Sequence, residues 1–193
     1  MLKNKTIGVG ITGSSCSFAG LLPLLQQLKE QNRVIPILSP AAATQDTRFF
    51  DAADFCAKVS EITGEELITT IPQAEQIGPK KLLDILLLAP CTSNTMAKLC
   101  HGITDTAVLM AAKSHLRNGG PLVIAPFTND ALAASAQNIG YLLARKQVYF
   151  VPFRQDNWRD KPRSMTANWA RVEETLAAAL DGMQVQPILE APM

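Results

Sequence analysis

Residues 6–17, TIGVGITGSSCS, admit two registers, and the choice between them decides the fold. Gly8-Val9-Gly10-Ile11-Thr12-Gly13 matches GxGxxG, which marks a dinucleotide-binding turn when it follows a strand. That register leaves only residues 5–7 as the strand. The alternation of Ile7, Val9 and Ile11 instead carries one strand over residues 5–12, with Gly8 and Gly10 inside it. A dinucleotide site also wants an acidic residue about 20 positions on, at the end of the second strand. Leu38-Ser39-Pro40 stands there. The binding turn therefore starts at Gly13 and suits a nucleotide other than NAD. Gly13 permits a tight turn, and the hydroxyls of Ser14, Ser15 and Ser17 can hydrogen-bond a phosphate. The free N–H groups and the positive end of the following helix favour an anion. No lysine completes GxxxxGK[ST], which argues against a nucleoside triphosphatase loop.

Strand and helix patterns alternate outward from this turn, the signature of a mostly parallel sheet covered on both faces. The expected fold is α/β, a Rossmann-like or flavodoxin-like arrangement of three layers. Residues 33–38 (RVIPIL) read as the second strand, and residues 81–89 (KLLDILLLA) as the central one. Buried parallel strands show such continuous apolar runs. Residues 121–125 and 147–151 read as two more. Leu21, Leu24, Leu25 and Leu28 share one helix face, although Pro23 must kink that helix or delay its start past Ser17. Residues 40–50 read as a loop and 51–62 as a helix, while 65–78 has no clear pattern. Helices follow over residues 93–99 and 106–116. Another carries Leu132, Ala136, Ile139 and Leu143, and the last carries Trp169, Val172, Leu176 and Leu180. Residues 184–193 hold two prolines and no period, so this tail reads as irregular, either loose or packed on a neighbouring subunit. With no repeat and no linker, residues 1–193 read as one domain.

Ligands in such sheets bind beyond the carboxyl ends of the strands. Four segments follow those ends: residues 12–17, Ser39-Pro40, residues 90–95 and residues 126–130. All are rich in hydroxyls, amides or glycine. Each could simply cap a helix, but four on one edge point to a pocket. No GxSxG elbow is present, and His101 reads as a capping or surface residue. Arg48, Arg154, Arg159 and Arg163 lie in irregular segments, where guanidinium forks could meet a carboxylate.

Composition narrows the classes. The 193 residues are 47% hydrophobic, enough for a sizeable core. A net charge of +1 supplies no field to draw in nucleic acid or an anionic membrane. No run approaches the roughly 18 apolar residues of a membrane span, and no signal peptide is evident, so a cytoplasmic protein is expected. The four cysteines form no CxxC pair and sit at no metal-ligand spacing to the two histidines, so no metal is expected. Cys56 and Cys100 fall on helix patterns as small core residues.

Ile11-Thr12-Gly13-Ser14, the run from Ala89 to Lys98 (APCTSNTMAK), Gly102-Ile103-Thr104-Asp105 and Pro126-Phe127-Thr128-Asn129 together resemble the flavoprotein family of FMN-binding cysteine decarboxylases. There the middle motif reads close to PASANT and the later one PAMN. Residues 47–49, 108–118, 128–132 and 151–156 extend the resemblance over nearly the whole chain. It implies a Rossmann-like fold, an FMN site and assembly into trimers or multiples of them. It also implies a part in oxidising a dihydrodipicolinate-pathway intermediate to dipicolinic acid during sporulation, in the mother cell. The partner would be an A subunit that resembles a pyridine-nucleotide dehydrogenase and could bring NADP. Carried over by position, Gly13, Ser14, Ser15 and Ser39 would hold the phosphate and ribityl chain. Thr92, Ser93, Asn94 and Thr95 would face the flavin, with Asn94 and Asn129 as the catalytic groups. Arg154 and Arg163 would suit a dicarboxylate substrate. The chain departs from the decarboxylases in having no histidine before His101 and no cysteine in residues 153–165, and Phe127-Thr128 displaces the methionine of PAMN. These departures argue against cysteine decarboxylation. A non-catalytic nucleotide-binding partner and an FMN-dependent decarboxylase or prenyltransferase remain the alternatives.

Overall fold

The computed structural model describes residues 2–192. The strands are β1 (Thr6–Ile11), β2 (Arg33–Leu38), β3 (Ile85–Cys91), β4 (Leu122–Thr128), β5 (Val148–Phe150), β6 (Phe153–Arg154) and β7 (Met165–Ala167). The helices are α1 (Phe18–Lys29), α2 (Pro40–Thr44), α3 (Ala52–Thr63), α4 (Ile71–Glu75), α5 (Ser93–Cys100), α6 (Ala107–Arg117), α7 (Ala136–Leu143) and α8 (Val172–Leu180). One sheet runs β2-β1-β3-β4-β7-β6, and β5 also pairs with β4. Strands β1 to β5 are parallel, whereas β7 runs antiparallel to β4 and to β6. β4 serves two neighbours: residues 122–124 pair with β5, and Phe127 and Thr128 pair with β7. The parallel part has the doubly wound flavodoxin-like order, whose connections reverse direction at the β1/β3 boundary. All seven residues of β3 are buried, as a sheet covered on both faces requires.

Several elements differ from the sequence expectation, each for a local reason. The central strand begins at Ile85 rather than Lys81, because Lys81 takes a left-handed φ of 46° and turns the chain. Residues 40–44, expected in a loop, form α2: the Ser39 hydroxyl accepts from the Ala42 N–H, and Pro40 fits the first helical position. α1 starts at Phe18, after a 3-10 turn over Ser15–Ser17, and carries Pro23 inside it. α7 begins only at Ala136. Leu132 lies outside it, 51% exposed, and Ile139 and Leu142 form the buried face in place of Leu143. His101 is the exposed residue closing α5, as expected. Cys56 and Cys100 pack against the core from α3 and α5. The tail is tied to its own chain. The Gln184 side chain bonds both backbone groups of Phe150, Phe153 N–H donates to Ile188 O, and Glu190 N–H donates to Phe153 O.

His115 shows how tightly α6 meets the strand that follows it. The imidazole is buried, with Nε2 3.1 Å from Pro121 O. Gly120 makes room for it: a β-carbon there would lie 2.2 Å from Cε1. Burial pushes the His115 pKa below its ordinary value, against smaller upward pulls from the Pro121 carbonyl and Asp84. The unfolded chain then takes its proton at a higher pH than the folded one. The stability tied to this residue is complete above about pH 6.5 and is lost as the pH falls through the lowered folded value. Urea unfolding should show stability declining below about pH 6.5 in the wild type and a shallower decline in His115→Gln; parallel declines would rule this out.

Candidate functional site

The four polar segments meet at the carboxyl edge of the sheet. Where β1 and β3 end, Thr12 joins them. Its N–H and its hydroxyl both donate to Pro90 O, at 3.2 and 2.8 Å, and the same hydroxyl accepts from the Thr92 N–H at 2.9 Å. Thr12 is 1% exposed, so this junction is dry. An irregularity in the β3–β4 pairing between Leu88 and Cys91 puts one extra residue on the β3 side, the kind of bulge that re-aims the chain beside a site.

Thr92 then caps α5. Its hydroxyl accepts from the Thr95 N–H, and the two threonine hydroxyls lie 3.1 Å apart. The N–H groups of Ser93 and Asn94, in the first turn, have no helical acceptor. Ser39 caps α2 in the same way. Ser14 makes no side-chain cap to the 3-10 turn after it. The capping reading is thus right for Ser39 and Thr92, and both residues also face the open edge.

Two clefts lie there and share Gly13 and Thr92. The first, of about 500 Å³, takes in Thr12, Ser39, Asn94 and Thr95, and adds Gln45, Lys98 and Asp105. The second, of about 400 Å³, takes in Ser14, Ser15, Ser93 and Asn129, and adds Cys16, Phe127 and Asp130. Every cofactor candidate from the sequence therefore lines one of these clefts, as do Asn94 and Asn129. Gly13 sits where a β-carbon would come within 3.0 Å of Ala41 Cβ, on α2. Phe127 is stacked on Trp169 at 4.5 Å, and Gly20 on α1 leaves the space for that indole. Of the two arginines, neither lines a cleft. Arg154 approaches Glu190 at 3.9 Å, and Glu190 also takes Arg171 at 3.2 Å and Asn168 at 2.9 Å. Arg163 is exposed, one residue before Ser164, which touches Asn129. The one cation lining the clefts among the described residues is Lys98, paired with Asp105.

Sequence reasoning quoted Thr12, Lys98 and Phe127 inside motifs but gave none of them a role at the site. Thr12 was visible as the last residue of a strand before a glycine turn, and Lys98 as the charge one turn into the helix after Thr92-Ser93-Asn94. Phe127 was marked only as a departure from the PAMN pattern, because its place depends on Trp169, 42 positions later.

The family model described as Flavoprotein matches residues 1–181, and the chain belongs to that family. It is 41% identical over 189 residues to the B subunit of dipicolinate synthase from Bacillus subtilis (strain 168), covering 97% of this chain and 94% of that one. The crystal structure of the B subunit of dipicolinate synthase from Bacillus halodurans C superposes with a TM-score of 0.90 at 40% identity, covering 99% of this chain and 98% of that one. A dodecameric FMN-dependent UbiX-like decarboxylase from Escherichia coli O157:H7 shares the fold, with a TM-score of 0.62 at 23% identity, covering 91% of this chain and 92% of that one.

Thr12→Val keeps the shape of the β1–β3 junction and removes its hydroxyl. It should lower the unfolding free energy by about 1–3 kcal/mol, because the Thr92 N–H loses its acceptor. Thr12→Ser should lose less. Equal losses in urea midpoint would show that the hydroxyl is not what ties the junction.

Proposed function

We propose that this chain is the FMN-holding B subunit of a dipicolinate synthase, taking part in the oxidation of a dihydrodipicolinate-pathway intermediate to dipicolinic acid in sporulation. The observation that carries this is the convergence of Gly13, Ser14, Ser39, Thr92 and Asn94 on two adjoining clefts at one sheet edge. The likeness to the two Bacillus B subunits supports it. The residues fit FMN. Hydroxyls, first-turn N–H groups of α5 and one lysine suit a phosphate and a polyol chain, and both clefts have the size of ligand sites. Gly13, Ser14, Ser15 and Ser39 would hold the phosphate and ribityl chain, and Thr92, Ser93, Asn94 and Thr95 the ring. When bound, FMN would accept the two electrons that leave the substrate ring as it becomes aromatic.

The chain's own part is to bind, orient and exclude water. Asn94 and Asn129 stand beside the reacting atoms as hydrogen-bonding groups. Arg163, exposed and next to Ser164, would meet a carboxylate of a dicarboxylate substrate. Arg154 is set aside, because Glu190 engages it. The A subunit of dipicolinate synthase would supply NADP and pass on the electrons. The working unit is a homo-oligomer, a trimer or a multiple of one, in the cytoplasm of the mother cell, with residues 1–193 folding as one domain.

Mixing purified chain, FMN, the A subunit and NADP+ as the final electron acceptor with the dihydrodipicolinate-pathway intermediate should yield dipicolinate. Omitting any one of the three protein or flavin components should abolish it. Arg163→Ala should raise KM by roughly tenfold, the scale of one charged hydrogen bond, and leave the flavin spectrum unchanged. Product formation without flavin would refute the cofactor assignment, and unaltered kinetics would refute the role of Arg163.

A further inference from the structure

Asn129 leaves the end of β4 on an exposed turn whose polar side chains are almost all engaged. The Thr128 hydroxyl donates to Asp130 Oδ1, and the Ser135 hydroxyl lies 3.2 Å from both oxygens of the same carboxylate. The Asn129 carbonyl oxygen, Oδ1, accepts from Ser164 Oγ at 3.4 Å. Its amide nitrogen, Nδ2, has no acceptor among the described residues, and the residue lines the second cleft.

Ser164 is placed there by the sheet. β7 runs antiparallel to β4 with Thr128 opposite Met165, so the next pair along the ladder sets Asn129 opposite Ser164. The residue is 1% exposed. Its N–H closes a turn on Lys161 O, and the neighbouring Arg163 O accepts from the Leu132 N–H. The hydroxyl of Ser164 is therefore buried, with the Asn129 carbonyl as its acceptor. A primary amide offers a carbonyl on one side and an NH2 on the other. Occupying the carbonyl fixes which side faces the cleft.

We infer that Ser164 is a positioning residue: by donating to the Asn129 carbonyl it turns the Asn129 NH2 into the second cleft, which makes that point of the cleft a donor for a carbonyl or carboxylate oxygen of the ligand. This rests on the functional reading above for the identity of the ligand, but not for the orientation of the amide. Asn129→Asp is the discriminating change. One carboxylate oxygen keeps the Ser164 bond, while the other replaces a donor by a negatively charged acceptor.

Two measurements test this. In protein labelled with 15N-asparagine, the Asn129 side-chain amide signal should shift in Ser164→Ala and return toward the wild-type position in Ser164→Thr; a signal unmoved by Ser164→Ala overturns the proposal. This readout needs no flavin. In the FMN-loaded chain, titrated with pyridine-2,6-dicarboxylate and followed by the flavin spectrum, Asn129→Asp should weaken binding by roughly tenfold or more. Ser164→Ala should weaken it too, and should add nothing in an Asn129→Ala background. Wild-type affinity in Asn129→Asp, or additive losses in the double variant, overturns the proposal. A wild-type chain that takes up no flavin would instead refute the functional reading, while the amide signal still decides the orientation.

Discussion

Everything at the open edge depends on the hydroxyl of Thr12. The connections that leave β1 and β3 run in opposite directions there, and the gap that opens between them is where a ligand enters such a sheet. A gap between two buried strand ends exposes backbone groups that the ladder no longer pairs. Thr12 satisfies them from both sides, donating to Pro90 O and accepting from the Thr92 N–H. The junction stays closed beneath and open above. Gly13 can then turn toward α2, and Thr92 can begin α5 with its first N–H groups facing outward. The two clefts share Gly13 and Thr92 because these residues flank the same tie.

The parallel half of the sheet was legible because burial on both faces demands unbroken apolar runs, and residues 34–38 and 85–89 supply them. α3 and α6 were legible from their apolar spacing and from the polar residues that begin them, Asp51 and Thr106. What was missed has few residues or a distant cause. α2 is built of small residues and exists because Ser39 and Pro40 start a helix there. β6 and β7 have two and three residues, too short for any alternation to register. The start of α7 was misplaced because Leu132 fits a helical spacing while its N–H is spent on Arg163 O.

The same division holds for the site. Residues in turns directly after long strands were found, since the strand fixes where the turn lies. Residues 154–164 were not placed, since their position comes from β7 pairing back onto β4 and from Glu190 drawing Arg154 toward the tail. An arginine in an irregular segment signals a charge without signalling where it points. The tail itself, expected to be loose or to pack on a neighbour, is bound through Gln184, Ile188 and Glu190 to strands of its own chain.

The proposed FMN site at this edge, with Gly13 at its heart, is open to direct test. Equilibrium titration of the purified chain with FMN, followed by quenching of flavin fluorescence, tests it most directly. The expected result is saturable binding at one FMN per chain, lost in a folded Gly13→Val variant whose side chain would press on Ala41. A wild-type chain that leaves flavin fluorescence unchanged, or a Gly13→Val variant that binds FMN as the wild type does, would contradict it.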